Sequence, residues 1–144
     1  MKTDILFACL VVISATMLGT GCSNGNVSFG GKVTFSDDDS PLTLGTVCFE
    51  SPTFLGRGEL NQDGKYDLGS LSTSDGIPKG TYKVYVTGAA KGGMSDKGSP
   101  ILIPIIDPKY VAASTSGLSV TIDGKSKSFD IKVDRYKEPA KGKK

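Results

Sequence analysis

The chain has 144 residues, a formal net charge of +2 and no histidine. It therefore lacks the base of Ser-His-Asp and Cys-His catalysis and the commonest protein ligand of metal ions. A charge so close to neutrality argues against a nucleic-acid partner. The length suits one domain, and we expect no catalytic residue, no bound metal and no cofactor.

The first 22 residues resemble a bacterial lipoprotein signal. Lys2 precedes an apolar run over residues 5–18, and the small residues Gly19 to Gly21 lead directly to Cys22. The run is shorter than the ~20 apolar residues that span a bilayer. We expect a cleaved signal peptide over residues 1–21 and a lipid such as palmitate on Cys22. An ordinary signal peptide that leaves Cys22 unmodified is the alternative.

Such an anchor predicts the location of the rest of the chain. The domain would sit in the cell envelope, held on a membrane by its lipid and facing the periplasm or the cell exterior. Residues 22–29 would form a short polar tether. Cys9 leaves with the signal peptide, so Cys48 has no disulfide partner. It lies between Val47 and Phe49, and we expect it to pack as a small apolar side chain.

From residue 30 the chain alternates short apolar runs with turn residues, which is typical of an all-β sandwich. The pattern predicts seven strands, over residues 31–35, 45–50, 57–61, 65–68, 80–87, 118–122 and 126–133. The clearest is 80–87, where Tyr82, Val84 and Val86 form the inward face and Tyr85 points away. The sandwich domain would span residues 30–134.

Turn and breaker residues define the connections between these strands. The turns at 61–64 and 123–125 predict two hairpins, since Gly64 and Gly124 can adopt positive φ. Residues 88–100 are predicted to be a flexible insertion. The apolar segment 101–106 contains Pro104, which indicates an edge strand or an irregular segment.

Several short motifs follow one another in a recognisable order. They are Gly31-Lys32-Val33, Pro41-Leu42, Gly45-Thr46-Val47, Asp63-Gly64-Lys65-Tyr66 and Gly80-Thr81-Tyr82-Lys83-Val84. This series resembles the carboxypeptidase-regulatory-like domain. Residues 106–110 and 114–118 are similar to small planctomycete-type lipoproteins that carry it. The resemblance covers residues 30–133 and implies a seven-stranded antiparallel Greek-key β-sandwich of the transthyretin (prealbumin) type, with an accessory or adhesive role and no catalytic residue.

Three groups of polar residues could carry chemistry. The carboxylates of Asp37 to Asp39 could bind calcium or simply form a solvated turn. Residues 59–64 resemble half of a calcium loop, but Ser70 stands where the loop needs a bidentate glutamate. Lys32 and Asp130 are the natural pair for an isopeptide bond. Strand alternation places both in solvent, whereas the bond requires a buried lysine.

The surface offers three further features. An exposed Tyr85 could stack on a sugar or a partner, or could instead cover its sheet face beneath residues 88–100. The apolar 101–106 run is a second candidate surface. Residues 135–144 are predicted to form a basic disordered tail that either stays solvated or contacts anionic headgroups.

We therefore expect a non-enzymatic, lipid-anchored interaction or structural module of the cell envelope, whose partner is an envelope protein or a glycan. The alternative is a module that binds carbohydrate or a cell-wall polymer through Tyr85. An enzyme built on carboxylates alone is disfavoured, because no Asp or Glu stands in an evidently apolar setting.

Overall fold

The computed structural model describes residues 25–69 and 75–138. The strands are β1 (Gly30–Phe35), β2 (Thr46–Ser51), β3 (Phe54–Glu59), β4 (Lys65–Asp67), β5 (Gly80–Thr87), β6 (Ala90–Met94), β7 (Pro100–Pro104), β8 (Leu118–Ile122) and β9 (Ile131–Val133). A 3₁₀ turn over Pro108–Val111 is the one helical element in these ranges. No helix in the described part of the chain is long and apolar enough to cross a membrane.

The strands form a four-stranded sheet in the order β3-β2-β5-β8, a three-stranded sheet in the order β4-β1-β9, and a separate two-stranded ribbon of β6 and β7. The prediction of an all-β fold is confirmed. β5 and β8 have the predicted boundaries, because alternating apolar residues and flanking glycines mark both ends of these strands.

One apolar core joins the two larger sheets. Tyr82, Val84 and Val86 of β5 are buried as predicted, and they share a cluster with Val33 of β1 from the other sheet. Phe49 of β2 lies at the centre of this cluster. Its ring centroid is 6.0 Å from that of Phe29 and 6.0 Å from that of Tyr66, which lies on β4. Each fully buried large side chain stabilises the fold by about 1.5–3 kcal/mol, so this shared core holds the sheets together.

Both predicted turns form, but neither joins its flanking strands in one sheet. Across the 61–64 turn, Arg57 and Gly69 still exchange two backbone hydrogen bonds, at 3.0 and 2.9 Å. Residues 61–64 turn the chain with Gly64 at φ 72°, and the side-chain oxygen of Asn61 accepts hydrogen bonds from the backbone N–H groups of Asp63 and Lys65 at 2.9 Å each. The flanking strands β3 and β4 then enter different sheets. The same holds for β8 and β9 around Gly124. A period of two shows which residues point inward but not which sheet a strand joins.

Strand pairing departs from the sequence-based expectation in two other places. β1 pairs with β9 in parallel, with Val33 opposite Ile131, so the fold is not wholly antiparallel. β2 and β3 form a tight hairpin through residues 52–53, with Ser51 opposite Phe54. The sequence does not distinguish this turn at Pro52 from the end of a strand, because a proline stops a strand as readily as it begins a turn.

The predicted flexible insertion contains β6, and β7 completes the ribbon. Ile105 donates a backbone hydrogen bond to Ala89 at 2.9 Å, and the chain then enters the core at Ile106, which is fully buried. Most residues between Ala89 and Ile106 are exposed. The ribbon therefore projects from a buried base. Within the described residues β7 pairs only with β6, which confirms the edge position that Pro104 indicated.

Candidate functional site

The proposed lipid site, Cys22, lies outside the described residues, which begin at Gly25. Val27 exchanges two backbone hydrogen bonds with Ile77, at 2.8 and 3.0 Å, just before β5 begins at Gly80. The ribbon leaves the sandwich after β5 ends at Thr87. An eight-residue strand is about 26 Å long, so the N-terminal segment and the base of the ribbon lie at opposite ends of the sandwich.

The acidic turn at Asp37 to Asp39 is held by the C-terminal segment. Arg135 donates to the carboxylates of Asp37 at 2.9 Å and Asp38 at 2.8 Å, and to the hydroxyl of Ser40 at 2.7 Å. Its guanidinium also lies 3.7 Å from the centre of the Phe35 ring. Arg135 was assigned to the disordered tail on sequence alone, whereas here it packs on the fold; residues 139–144 of that tail lie outside the described part.

These contacts bear on the calcium hypothesis. Lys132 pairs with Asp39 at 2.7 Å, so all three carboxylates of the turn face cations of the protein itself. Hydrogen bonds from Ser40, with the Arg135 charge, lower the pKa of Asp38 to about 2. Asn61 uses its side-chain oxygen within its own turn. No cluster of three or more potential metal ligands occurs in the described ranges.

A second charged group surrounds Asp134 beside the 3₁₀ turn. Its carboxylate accepts hydrogen bonds from Lys109 at 2.6 Å, from Tyr110 at 3.1 Å and from the hydroxyl of Ser36. The Lys109 contact, followed by those of Ser36 and Tyr110, lowers the pKa of Asp134 to about 2. Together with Arg135, Asp134 fastens the segment after β9 to the turns around it. The arrangement has a structural role.

The candidate isopeptide pair is not arranged for reaction. The carboxylate of Asp130 accepts a hydrogen bond from the backbone N–H of Lys32 at 3.0 Å, rather than meeting its side-chain amine. Asp130 is exposed and Lys32 is only half-buried. Both border an open hollow of about 430 Å³ that also includes Lys65, on the outer face of the three-stranded sheet. The pair therefore lacks the buried, desolvated lysine that an isopeptide bond requires.

Tyr85 lies on the outer face of the four-stranded sheet. It is half-buried and stands opposite Cys48, which in turn stands opposite Arg57 on β3. Burial, together with the carboxylate of Glu50, raises the pKa of Tyr85 to about 12. Cys48 is only 4% exposed although it points away from the core, and burial raises the pKa of its thiol. The expectation that Cys48 packs as a small side chain agrees with this burial.

A shallow hollow of about 360 Å³ lies beside Tyr85 on the same sheet. Its wall includes Glu50 and Lys83, which stand opposite each other on β2 and β5, together with the small residue Ser119 on β8. The hollow therefore combines a carboxylate, an amine and hydroxyl groups on a wall that is otherwise mostly apolar and that does not include Tyr85. These are the groups that bind a polyhydroxylated ligand.

The ribbon carries the two most exposed of the large apolar side chains in the described part of the chain. Leu102 is 77% exposed and Met94 is 72% exposed. The register pairs Ala90 with Pro104, Gly92 with Leu102 and Met94 with Pro100, so these six residues share one side of the ribbon. None of the six is charged, and we call this side the uncharged face. Lys91 points to the other side, where Ile103 covers Gly93.

Sequence reasoning located part of this surface. It identified the apolar segment 101–106 but missed its partner strand, because Ala90-Lys91-Gly92-Gly93-Met94 has neither alternation nor β-branched residues. The signal that could have found the pair is the Ser/Gly/Asp/Lys-rich stretch at 95–99, which is a typical loop between two strands. The roles of Arg135 and Asp134 carried no local signal, since their partners are distant in sequence.

No protein-family model matches the chain, and no curated protein matches it. Two crystal structures are similar: the major pilin subunit BcpA of Bacillus cereus, with a TM-score of 0.46, and a variant of the same pilin, with a TM-score of 0.44. Each is 12% identical in sequence. The similarity covers 78% of this chain but only 30% of the pilin chain.

Proposed function

We propose that this protein is a non-enzymatic, lipid-anchored module of the bacterial cell envelope, which presents its ribbon to a protein partner. The observation that carries the proposal is the uncharged face, where Met94 and Leu102 are more than 70% exposed on a structure whose other apolar side chains are mostly buried. Exposed apolar side chains grouped on one projecting element are typical of interaction sites.

The position of the ribbon supports a role away from the membrane. A lipid on Cys22 would stand three residues before Gly25, at the end of the sandwich where Val27 pairs with Ile77. The ribbon emerges at the opposite end. Anchored in this way, the module would hold the uncharged face on the order of 25 Å or more above the bilayer surface, given the length of β5.

We also propose the finer features of the fold. The four-stranded and three-stranded sheets together contain seven strands, the number expected for a transthyretin-like Greek-key sandwich, with the ribbon as an addition. The ordered motifs of residues 31–84 support membership of the carboxypeptidase-regulatory-like group in a planctomycete-type lipoprotein. This group is non-catalytic, in agreement with the absence of histidine from the sequence.

The experiment that tests the anchor is metabolic labelling with an alkyne fatty acid. Wild-type protein should incorporate label and fractionate with membranes, and Cys22→Ala should do neither. Wild-type protein without label would refute the anchor.

The contact surface is tested by placing a photo-crosslinking amino acid at position 102 and, as a matched control, at the exposed position 121 on β8. A protein adduct should form at position 102 and not at position 121; equal yields would refute the ribbon as the contact surface.

A second candidate function is binding of a carbohydrate or cell-wall polymer. It is favoured by the hollow bordered by Glu50, Lys83 and Ser119 beside Tyr85. Soluble glycans and cell-wall fragments can be screened by calorimetry against the wild type, Tyr85→Ala and Lys83→Ala. Loss of binding in both variants would support this function, and binding that survives both would exclude this surface.

A further inference from the structure

The uncharged face has a shape that complements itself. Leu102 projects from β7 directly opposite Gly92 on β6, and no atom lies within 4 Å of the place where a side chain at Gly92 would begin. A projecting side chain and a gap of open space thus lie side by side at one level of the ribbon. The pairs next to them, Met94 with Pro100 and Ala90 with Pro104, are equally free of charge.

The free edge of β7 is a poor place for a partner strand. Ile105 donates to Ala89 and Ser95 donates to Ser99, which fixes the phase of the ladder and turns the backbone nitrogens of residues 100, 102 and 104 outward. Two of these are prolines, which have no N–H to donate. A partner is therefore expected on the face of the ribbon rather than along this edge.

We propose that the occupant of the uncharged face is a second copy of this chain, related by a twofold axis parallel to the ribbon strands. Such an axis places β6 of one copy over β7 of the other without a vertical shift. Leu102 of each copy then enters the gap at Gly92 of the other. Met94 of each copy then packs on Pro100 of the other, and Ala90 of each copy packs on Pro104 of the other. The contact is isologous and closes at two copies.

The size of the contact indicates where pairing occurs. Five-residue strands give a face about 16 Å long and about 10 Å wide, so pairing buries on the order of a few hundred Å². Stable interfaces in solution bury about 1,200 Å² or more. Pairing therefore depends on the high local concentration that a shared membrane gives, and in this respect it rests on the proposed lipid anchor.

The proposed twofold axis is compatible with two copies that are anchored in the same membrane. An axis parallel to the strands keeps the bases of both ribbons at the same end of the pair. Both sandwiches, and both N-terminal segments beyond them, then lie on one side. Two chains anchored in the same leaflet can therefore meet without either being inverted. An axis perpendicular to the strands would place the two sandwiches at opposite ends of the paired ribbons.

The test uses the full-length protein in membranes, with Lys97→Cys at the ribbon tip and a short bismaleimide as the probe. Cys48 should not react, because it is buried and the pKa of its thiol is raised. In this background Leu102→Asp and Gly92→Lys should each reduce the crosslinked dimer at least about tenfold, since each places an unpaired charge in the contact. Leu44→Asp changes the next most exposed leucine of the described residues, which is 46% exposed and lies outside the uncharged face, and should leave the yield unchanged.

Co-expression gives the decisive result. A Leu102→Asp chain and a Gly92→Lys chain place opposite charges against each other and keep one native Leu102–Gly92 contact, so the mixed pair should regain most of the dimer. A yield that is insensitive to Leu102→Asp, or not restored by co-expression, would overturn the pairing. Both substitutions lie on open surface, and circular dichroism of each variant confirms that it folds.

The anchor and the pairing can fail separately. Cys22→Ala should release the protein and abolish crosslinking at micromolar concentration. Retained crosslinking in Cys22→Ala would refute the dependence on the membrane while the pairing stands. Normal fatty-acid labelling without a crosslinked dimer would refute the pairing while the anchor stands.

Discussion

The sandwich and the ribbon use the same kinds of side chain in opposite ways. Phe49 and Val84 are fully buried between two sheets, whereas Met94 and Leu102 are more than 70% exposed on a two-stranded element. An isolated two-stranded ribbon is at best marginally stable, so this one depends on its buried base at Ala89 and Ile106. The stability of the protein therefore resides in the sandwich, and the exposed side chains of the ribbon should contribute little to it.

The largest effect should come from the core. Phe49→Ala removes a ring that touches three other aromatic rings, at Phe29, Tyr66 and Tyr82. Because the side chain is fully buried, the free energy of unfolding should fall by about 3–5 kcal/mol, as measured by urea denaturation. A loss below 1 kcal/mol would mean that the two sheets do not share this core.

The contacts of Asp134 with Lys109, Ser36 and Tyr110, called the clamp from here on, should make the sandwich sensitive to acid. The pKa of Asp134 is lowered from 3.8 to about 2 in the folded protein, so its stabilising contribution is complete above about pH 4 and is lost as the pH falls through about 2. Asp134→Asn should lower stability at pH 7 and match the wild type only below about pH 2. Thermal melts across this range provide the measurement, and Asp63→Asn, on an exposed turn, is the control. Parallel pH profiles of Asp134→Asn and the wild type would contradict the role of the clamp.

A smaller effect is expected on the outer face of the four-stranded sheet. Cys48 is covered by its cross-strand neighbours Tyr85 and Arg57 rather than by the core. With Cys9→Ser and Cys22→Ser in every protein, Tyr85→Ala should increase the rate at which Cys48 reacts with a thiol reagent by about tenfold, since reaction requires an accessible thiolate. Tyr85→Phe retains the covering ring and should change the rate much less. Equal rates in Tyr85→Ala and the wild type would show that the ring does not protect the thiol.

The smallest effect should come from the ribbon. Leu102→Ala removes an exposed side chain and should change the free energy of unfolding by less than about 0.5 kcal/mol. Together with Phe49→Ala, this substitution tests whether the free energy of unfolding comes from the core of the sandwich and not from the exposed residues of the ribbon. A loss of more than 1 kcal/mol in urea denaturation of the monomer would mean that the ribbon contributes to the core.

The sequence located the strands better than it located their partners. The inward residues of β5 and the positive φ of Gly64 follow from local alternation and turn chemistry, so both could be predicted. The separation of β3 from β4, and the parallel pairing of β1 with β9, depend on contacts between residues that are distant in sequence. Tyr85 was correctly placed away from the core, but its neighbours Cys48 and Arg57 come from other strands. The ribbon was not predicted, because Gly92 and Gly93 weaken the sequence pattern that would identify β6 as a strand.

The parallel pairing of the first and last strands has a mechanical consequence. β1 enters the three-stranded sheet near the N-terminal segment, and β9, which runs beside it in the same direction, leaves at the other end. A force applied between the two ends of the domain would pull these strands along their length in opposite directions. The hydrogen bonds between them would then be loaded together in shear rather than opened one after another. A domain held at its N-terminus would in this way resist tension on its C-terminal side.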